Sequence, residues 1–144
     1  MFNAISDGIS IKLNSVFGDG YEISSEDIKQ GFVAPCFFIK PLPTTSKALL
    51  GKRKRRDYQF VITYFPKEGN EEMMKVSEQM LDALACITLV SGETLRALTQ
   101  DSPMESEIVD GVLHVTVKYA VFFNDLSREE SMDDLKYSGG LKGA

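Results

Sequence analysis

Phe2, Ile5, Ile9, Leu13 and Val16 recur at steps of three and four residues, the spacing of one helical face, and predict a helix over 2–17. Asn14 and Ser15 weaken its end, and Gly18-Asp19-Gly20 stops it. Gly8 lies inside the pattern, where it lowers helix propensity, so close packing against another element is expected there. "GYEIS" at 20–24 alternates apolar and polar positions as a short strand does, and "SSEDIKQGFVAP" reads as loop with one turn of helix. "CFFIK" at 36–40 is a strand closed by Pro41 and Pro43, and residues 42–51 have the composition of a loop. In "DYQFVITYF", Tyr58, Phe60, Ile62 and Tyr64 alternate with Gln59, Val61, Thr63 and Phe65, the pattern of a strand rich in aromatic and β-branched residues that Pro66 ends.

"EGNEEMMKVSEQMLDALACI" is the clearest helix: Met73, Val76, Met80 and Leu84 form one stripe, Ile87 extends it, and Glu71 and Glu72 suit the positive end of its dipole. Beyond it, "TLVSGETLRALTQ" holds two short apolar runs about a Ser91-Gly92 turn. In "ESEIVDGVLHVTVKYAVFF", Asp110-Gly111 marks a tight hairpin. The second arm of that hairpin places Leu113, Val115, Val117, Tyr119, Val121 and Phe123 on one face, with His114, Thr116, Lys118 and Ala120 on the other. The expected order is α-β-β-β-α-β-β-β, an α+β single domain in which a mostly antiparallel sheet packs with an N-terminal and a central helix. The domain is expected to span 1–124; residues 125–144, acidic and then glycine-rich, read as a flexible or docking tail.

The 144 residues suffice for one core, and 43% hydrophobic with 26% charged residues is the balance of a folded globular chain. No apolar run reaches the length of a membrane span, and the first residues lack the charged and apolar regions of a signal peptide. Cys36 and Cys86 both lie in apolar stretches and are expected as buried, reduced thiols, in a cell or in a particle assembled inside one.

Candidate chemistry is sparse. His114, the single histidine, falls mid-strand on the polar face, and a dyad would need one of the two core cysteines. The glycines form no nucleotide loop, and "GDG" at 18–20 lacks the acidic series of a calcium site. Two isolated cysteines and one histidine form no metal-ligand cluster, and Met73, Met74 and Met80 read as core filler. Asp125, Glu129, Glu130, Asp133 and Asp134 crowd the tail, where paired acids lack the rigid spacing that hydrolysis requires; they form a candidate acidic docking strip. No enzyme, cofactor or metal is therefore expected.

What stands out is "GKRKRRDYQF". Lys52, Arg53, Lys54, Arg55 and Arg56 are consecutive in a chain of net charge −5. Of 16 basic residues these leave 11, and of 21 acidic residues Asp57 leaves 20, so the chain outside 52–57 carries −9. A mostly acidic surface repels phosphate backbones. If the run extends the strand that follows, Lys52, Lys54 and Arg56 face one way and Arg53, Arg55 and Asp57 the other. A strand charged on both faces cannot lie under a core. It reads as an arm at an assembly interface or channel, as a solvated edge that blocks stray strand pairing, or as a nucleic-acid patch.

"ISDGI", "GDGYEISSEDIKQGFVAPCFFI", "GKRKRRDYQFVITYFP", "NEEMMKVSEQMLDAL" and "VDGVLHVTVKYAVFF", in this order and spacing, resemble the tail terminator (tail completion) proteins of tailed phages and prophages of Gram-positive bacteria. The resemblance covers residues 1–124, and the acidic tail after Leu126 falls outside it. It implies a structural virion protein, assembled in the host bacterial cytoplasm, whose subunits form a hexameric ring on the head-proximal end of the tail tube. Such a ring stops tube polymerisation and offers the head attachment surface. The partners implied are other copies of the chain, the tail tube protein, the head-tail connector or neck protein and, in a contractile tail, the sheath protein. DNA would pass only in transit, and no membrane is involved. The alternative is a small DNA-contacting accessory or regulatory protein that uses 52–56.

Overall fold

The structure, a computed structural model, describes residues 1–25, 33–91 and 94–124. The elements are α1 (Phe2–Phe17), β1 (Glu22–Ser24), β2 (Cys36–Pro41), β3 (Thr45–Ala48), β4 (Arg53–Phe65), α2 (Asn70–Ala83), β5 (Cys86–Ser91), β6 (Thr94–Thr99), β7 (Glu105–Val109) and β8 (Val112–Asn124). The α+β class holds, with four strands on each side of α2 where three were expected. One of the two additional strands, β3, lies in the stretch read as loop.

A six-stranded sheet runs β1-β2-β4-β8-β7, with β3 also paired to β4; β5 and β6 form a separate two-stranded sheet. Only β1–β2 is parallel among the registers that fix direction, while β2–β4, β3–β4, β5–β6 and β7–β8 are antiparallel. The β7–β8 hairpin turns at Asp110 (φ 52°) and Gly111 (φ 74°), both in the left-handed region that a two-residue turn of matching twist requires.

Within the fold the residues group into two compact units: Met1–Pro43 with Tyr58–Tyr119, and Thr44–Asp57 with the chain from Ala120. In the first, alternation decides burial. Tyr58, Phe60, Ile62 and Tyr64 on β4 and Leu113, Val115, Val117 and Tyr119 on β8 are buried, as are Ile5, Ile9 and Leu13 of α1. Phe2 of α1 stacks on Phe60, and Phe17 meets Phe37 of β2, so that helix lies against the six-stranded sheet. It also contacts β5, where a Cβ on Gly8 would stand 2.8 Å from the Thr88 carbonyl oxygen. The glycine is there because two backbones meet, as its place in the helical pattern anticipates.

The α2 stripe Met73, Val76, Met80 and Leu84 is buried, each side chain contributing about 1.5–3 kcal/mol by leaving water. Leu84 caps the helix, and its carbonyl accepts a 2.6 Å hydrogen bond from the Tyr119 hydroxyl. Ile87, expected to extend the helix, is instead a buried residue of β5. Chain direction changes at Leu84 and Ala85, so period-two alternation governs from Cys86 onward. That alternation buries Ile87 and Leu89 and leaves Cys86 exposed, against the expectation of two core thiols; Cys36 is buried. Met74 likewise points outward at 61% exposure, one residue off the stripe, and is not core filler.

The second unit, as far as Asn124, consists of β3, the first residues of β4 and the last of β8. The acidic candidates Asp125, Glu129, Glu130, Asp133 and Asp134 lie outside the described residues, as do residues 26–32 and 92–93, the latter including Gly92 of the expected Ser91-Gly92 turn.

Candidate functional site

Lys52–Arg56 stands on a β-hairpin. Thr45 pairs with Asp57, Ser46 with Arg56, Lys47 with Arg55 and Ala48 with Lys54. The turn closes through a 2.9 Å hydrogen bond from the Leu49 amide to the Arg53 carbonyl, with Gly51 at φ 72°. That left-handed residue lets a short loop reverse the chain, which is why a segment reading as loop from Pro43-Thr44-Thr45-Ser46 contains a strand. Partner numbers sum to 101 along β2–β4 and to 102 along β3–β4, so one extra residue is absorbed at 42–44, the stretch that holds Pro43.

The expected face alternation holds from Arg53 onward, whereas Lys52, expected on the face of Lys54 and Arg56, lies in the turn ahead of the strand. Arg55 and Asp57, two apart on one strand, form an ion pair at 2.9 Å, and Thr45 Oγ1 donates to the Asp57 carboxylate at 3.4 Å. On the opposite face the Arg56 guanidinium donates to Ser46 Oγ at 3.4 Å. The end of β8 supplies two aromatic rings that the linear pattern did not connect to the arm. The Arg55 guanidinium lies 5.8 Å from the Phe122 ring centroid, and that of Arg56 lies 5.0 Å from Phe123. Each such contact contributes about 0.5–1 kcal/mol at a partly exposed site and holds a guanidinium plane in place. Lys52 and Arg53 are exposed at the turn, while Lys54, Arg55 and Arg56 are half-buried. The basic run is therefore a structured, partly neutralised surface. Leu50 at its tip is 92% exposed and Phe122 of β8 is 51% exposed, so the hairpin tip and the strand end beside it present apolar as well as cationic groups.

In the other unit the start of α2 borders a groove of about 660 Å³ lined by Tyr21, Glu68, Glu71, Glu72, Val76 and Gln79, among others. Glu72 braces it from within: its carboxylate accepts hydrogen bonds from the Tyr64 hydroxyl and from the amides of Lys67 (3.1 Å) and Glu68 (2.8 Å). Burial works to raise the Glu72 pKa, but these hydrogen bonds and the Lys67 charge outweigh it and hold the carboxyl below its ordinary value. Burial and hydrogen bonding to Glu72 push the Tyr64 phenol up, so it stays a protonated donor.

His114 Nδ1 lies 3.3 Å from Thr63 Oγ1, a cross-strand contact on the sheet's polar face. Burial, and then the Glu22 charge, push the Cys36 thiol up to about 11, which makes it a poor nucleophile at neutral pH. Among the described residues no group of three or more His, Cys, Asp or Glu is placed to hold a metal ion, and no helix is long and apolar enough to cross a membrane.

Comparison with known proteins gives one decisive match. A family model described as phage tail terminator protein matches residues 4–133. The match runs past the expected boundary at 124 and takes in Asp125, Glu129, Glu130 and Asp133, leaving Asp134 outside. No curated protein matches. Of 14 matching chains among solved structures, one superposes with a TM-score of 0.39 at 14% identity, over 81% of this chain and 93% of its own, a likeness too slight to carry an argument.

Proposed function

The chain belongs to the phage tail terminator protein family, and from that premise we propose that it closes into a ring, of six copies, on the head-proximal end of the tail tube. The family assigns a structural, tail-completion role in the virion tail. The finer reading is that the ring ends tube polymerisation and presents the surface to which the head-tail connector or neck docks, with the last sheath ring as a further neighbour in a contractile tail. The family match over 4–133 is the observation that carries this reading.

The arm Lys52–Arg56 supplies interface chemistry. Ring closure needs a heterologous contact, in which one patch of a subunit meets a different patch of the next. A cationic hairpin on an otherwise acidic chain is suited to that contact, and the stacking on Phe122 and Phe123 presets its geometry. The acidic stretch from Asp125 is a second candidate for docking. Light scattering of the purified chain with and without tail tubes tests the reading. Expected is a ring-sized species in the presence of tubes. An Arg53→Glu/Arg55→Glu/Arg56→Glu variant should lose it, and one that still rings and caps tubes of normal length would remove the arm from the interface.

A DNA-contacting role is the second reading, favoured by the exposed Phe122 ring beside clustered cations. Mobility shift over a salt series separates the two: a DNA reader loses affinity steeply as salt rises, whereas a ring subunit shows no shift at physiological salt.

A further inference from the structure

We propose that the tip of the β3–β4 hairpin, Leu50 with Lys47 and Arg53 beside it, docks in the groove at the start of α2 on a second copy of this chain. The inference rests on the ring reading above and names the two surfaces that make the contact. A leucine 92% exposed at a hairpin turn is a side chain without a buried place in its own subunit. Lys47 and Arg53, both exposed, flank it on one hairpin face. Nucleic acid would engage the charges and leave Leu50 in water. A protein surface with an apolar floor and an acidic rim would engage both.

The groove has that composition. The half-buried Tyr21 supplies its apolar surface, Glu68 and Glu71 are exposed at its edge, and Lys75 is the cation among its lining residues. Glu72, committed to Tyr64 and to two amides, shapes the wall, leaving Glu68 and Glu71 as the acidic charges a partner would meet, beside the single cation Lys75. The charge balance of the chain points the same way. Residues 44–57 hold six basic side chains and one acidic, whereas the rest of the chain holds 10 basic and 20 acidic. Opposite charge on two patches of one chain makes each copy complementary to the next and repels like patch from like patch. Because knob and groove differ, the contact repeats head to tail, as a ring requires.

The test pairs cross-linking with charge reversal. Leu50→Cys and Gln79→Cys are introduced together in a Cys86→Ser background, since Cys86 is exposed, and the protein is treated with a short bismaleimide on tail tubes. Expected is a ladder of cross-linked species that neither single variant forms. Lys47→Glu/Arg53→Glu should weaken ring formation by about tenfold or more, and adding Glu68→Lys/Glu71→Lys should restore it to within about threefold. If the unsubstituted protein rings on tubes but no ladder forms, or if the reversal is not rescued, the docking assignment is overturned while the ring reading stands. Cross-linking confined within one copy overturns it equally. If the unsubstituted protein forms no ring, both are overturned.

Discussion

Gly8→Ala is the sharpest probe of how α1 is held. The added methyl would lie 2.8 Å from the Thr88 carbonyl oxygen, 3.3 Å from Ile87 Cδ1 and 3.5 Å from Leu89 Cδ2. The two side-chain atoms can turn aside. The carbonyl cannot, because it belongs to β5, which is paired with β6 along its length. Relieving the overlap requires helix and ribbon to separate by several tenths of an ångström, a form of overpacking that destabilises by about 1–3 kcal/mol. Against it stands the gain of replacing glycine by alanine inside a helix, about 0.5–1 kcal/mol. The net expectation is a loss of about 1–2 kcal/mol. In a chain of this size that lowers Tm by about 2–8 °C and shifts the urea midpoint without changing the m-value. Gly20→Ala, where nothing lies within 4 Å, is the control and should stay within about 0.5 kcal/mol of the parent. A Gly8→Ala protein as stable as the parent would refute the α1–β5 packing, because propensity alone would then govern the site.

Two further substitutions probe the framework of the site. Glu72 has a folded pKa held below the ordinary 4.5, so its stabilising contribution is complete above that value and is lost as pH falls through the folded one. Glu72→Gln should therefore unfold about 1–3 kcal/mol more easily at pH 7 in denaturant titrations, with the gap to the parent closing in acid; parallel curves at every pH would contradict the assigned hydrogen bonds. Gly111→Ala, at φ 74° with open space around it, should destabilise by about 1–2 kcal/mol through backbone strain alone, and an unchanged Tm would mean the hairpin does not turn there.

How far the linear pattern carried varied with the range of the interactions involved. α1, the α2 stripe and the alternation along β4 and β8 were legible because one buried face imposes its period locally. Gly8 was legible too, as an interruption that only close packing explains. β3 was not, because Thr45–Ala48 are exposed throughout and the strand exists by pairing with β4, so no apolar alternation marks it. Cys86 and Met74 were misplaced for a related reason: each sits one step off a stripe whose phase is set where helix gives way to strand or by tertiary packing. The stacking of Arg55 on Phe122 and of Arg56 on Phe123 joins positions 67 residues apart and depends on β4 lying beside β8. Residue type alone, a cationic run and a terminal pair of phenylalanines, did not reveal that pairing. The tail-terminator assignment came from the order of motifs along the chain, and the family match over 4–133 bears it out.

The central claim is that this chain ends tube growth, and tube length measures it most directly. Tail tube protein polymerising in vitro would be imaged by electron microscopy with and without stoichiometric amounts of the purified chain per tube end. The account predicts that growth halts at one end, which carries a ring of density, and that further tube subunits add no length there. Tubes that elongate at both ends to the same length distribution in the presence of the chain would contradict it.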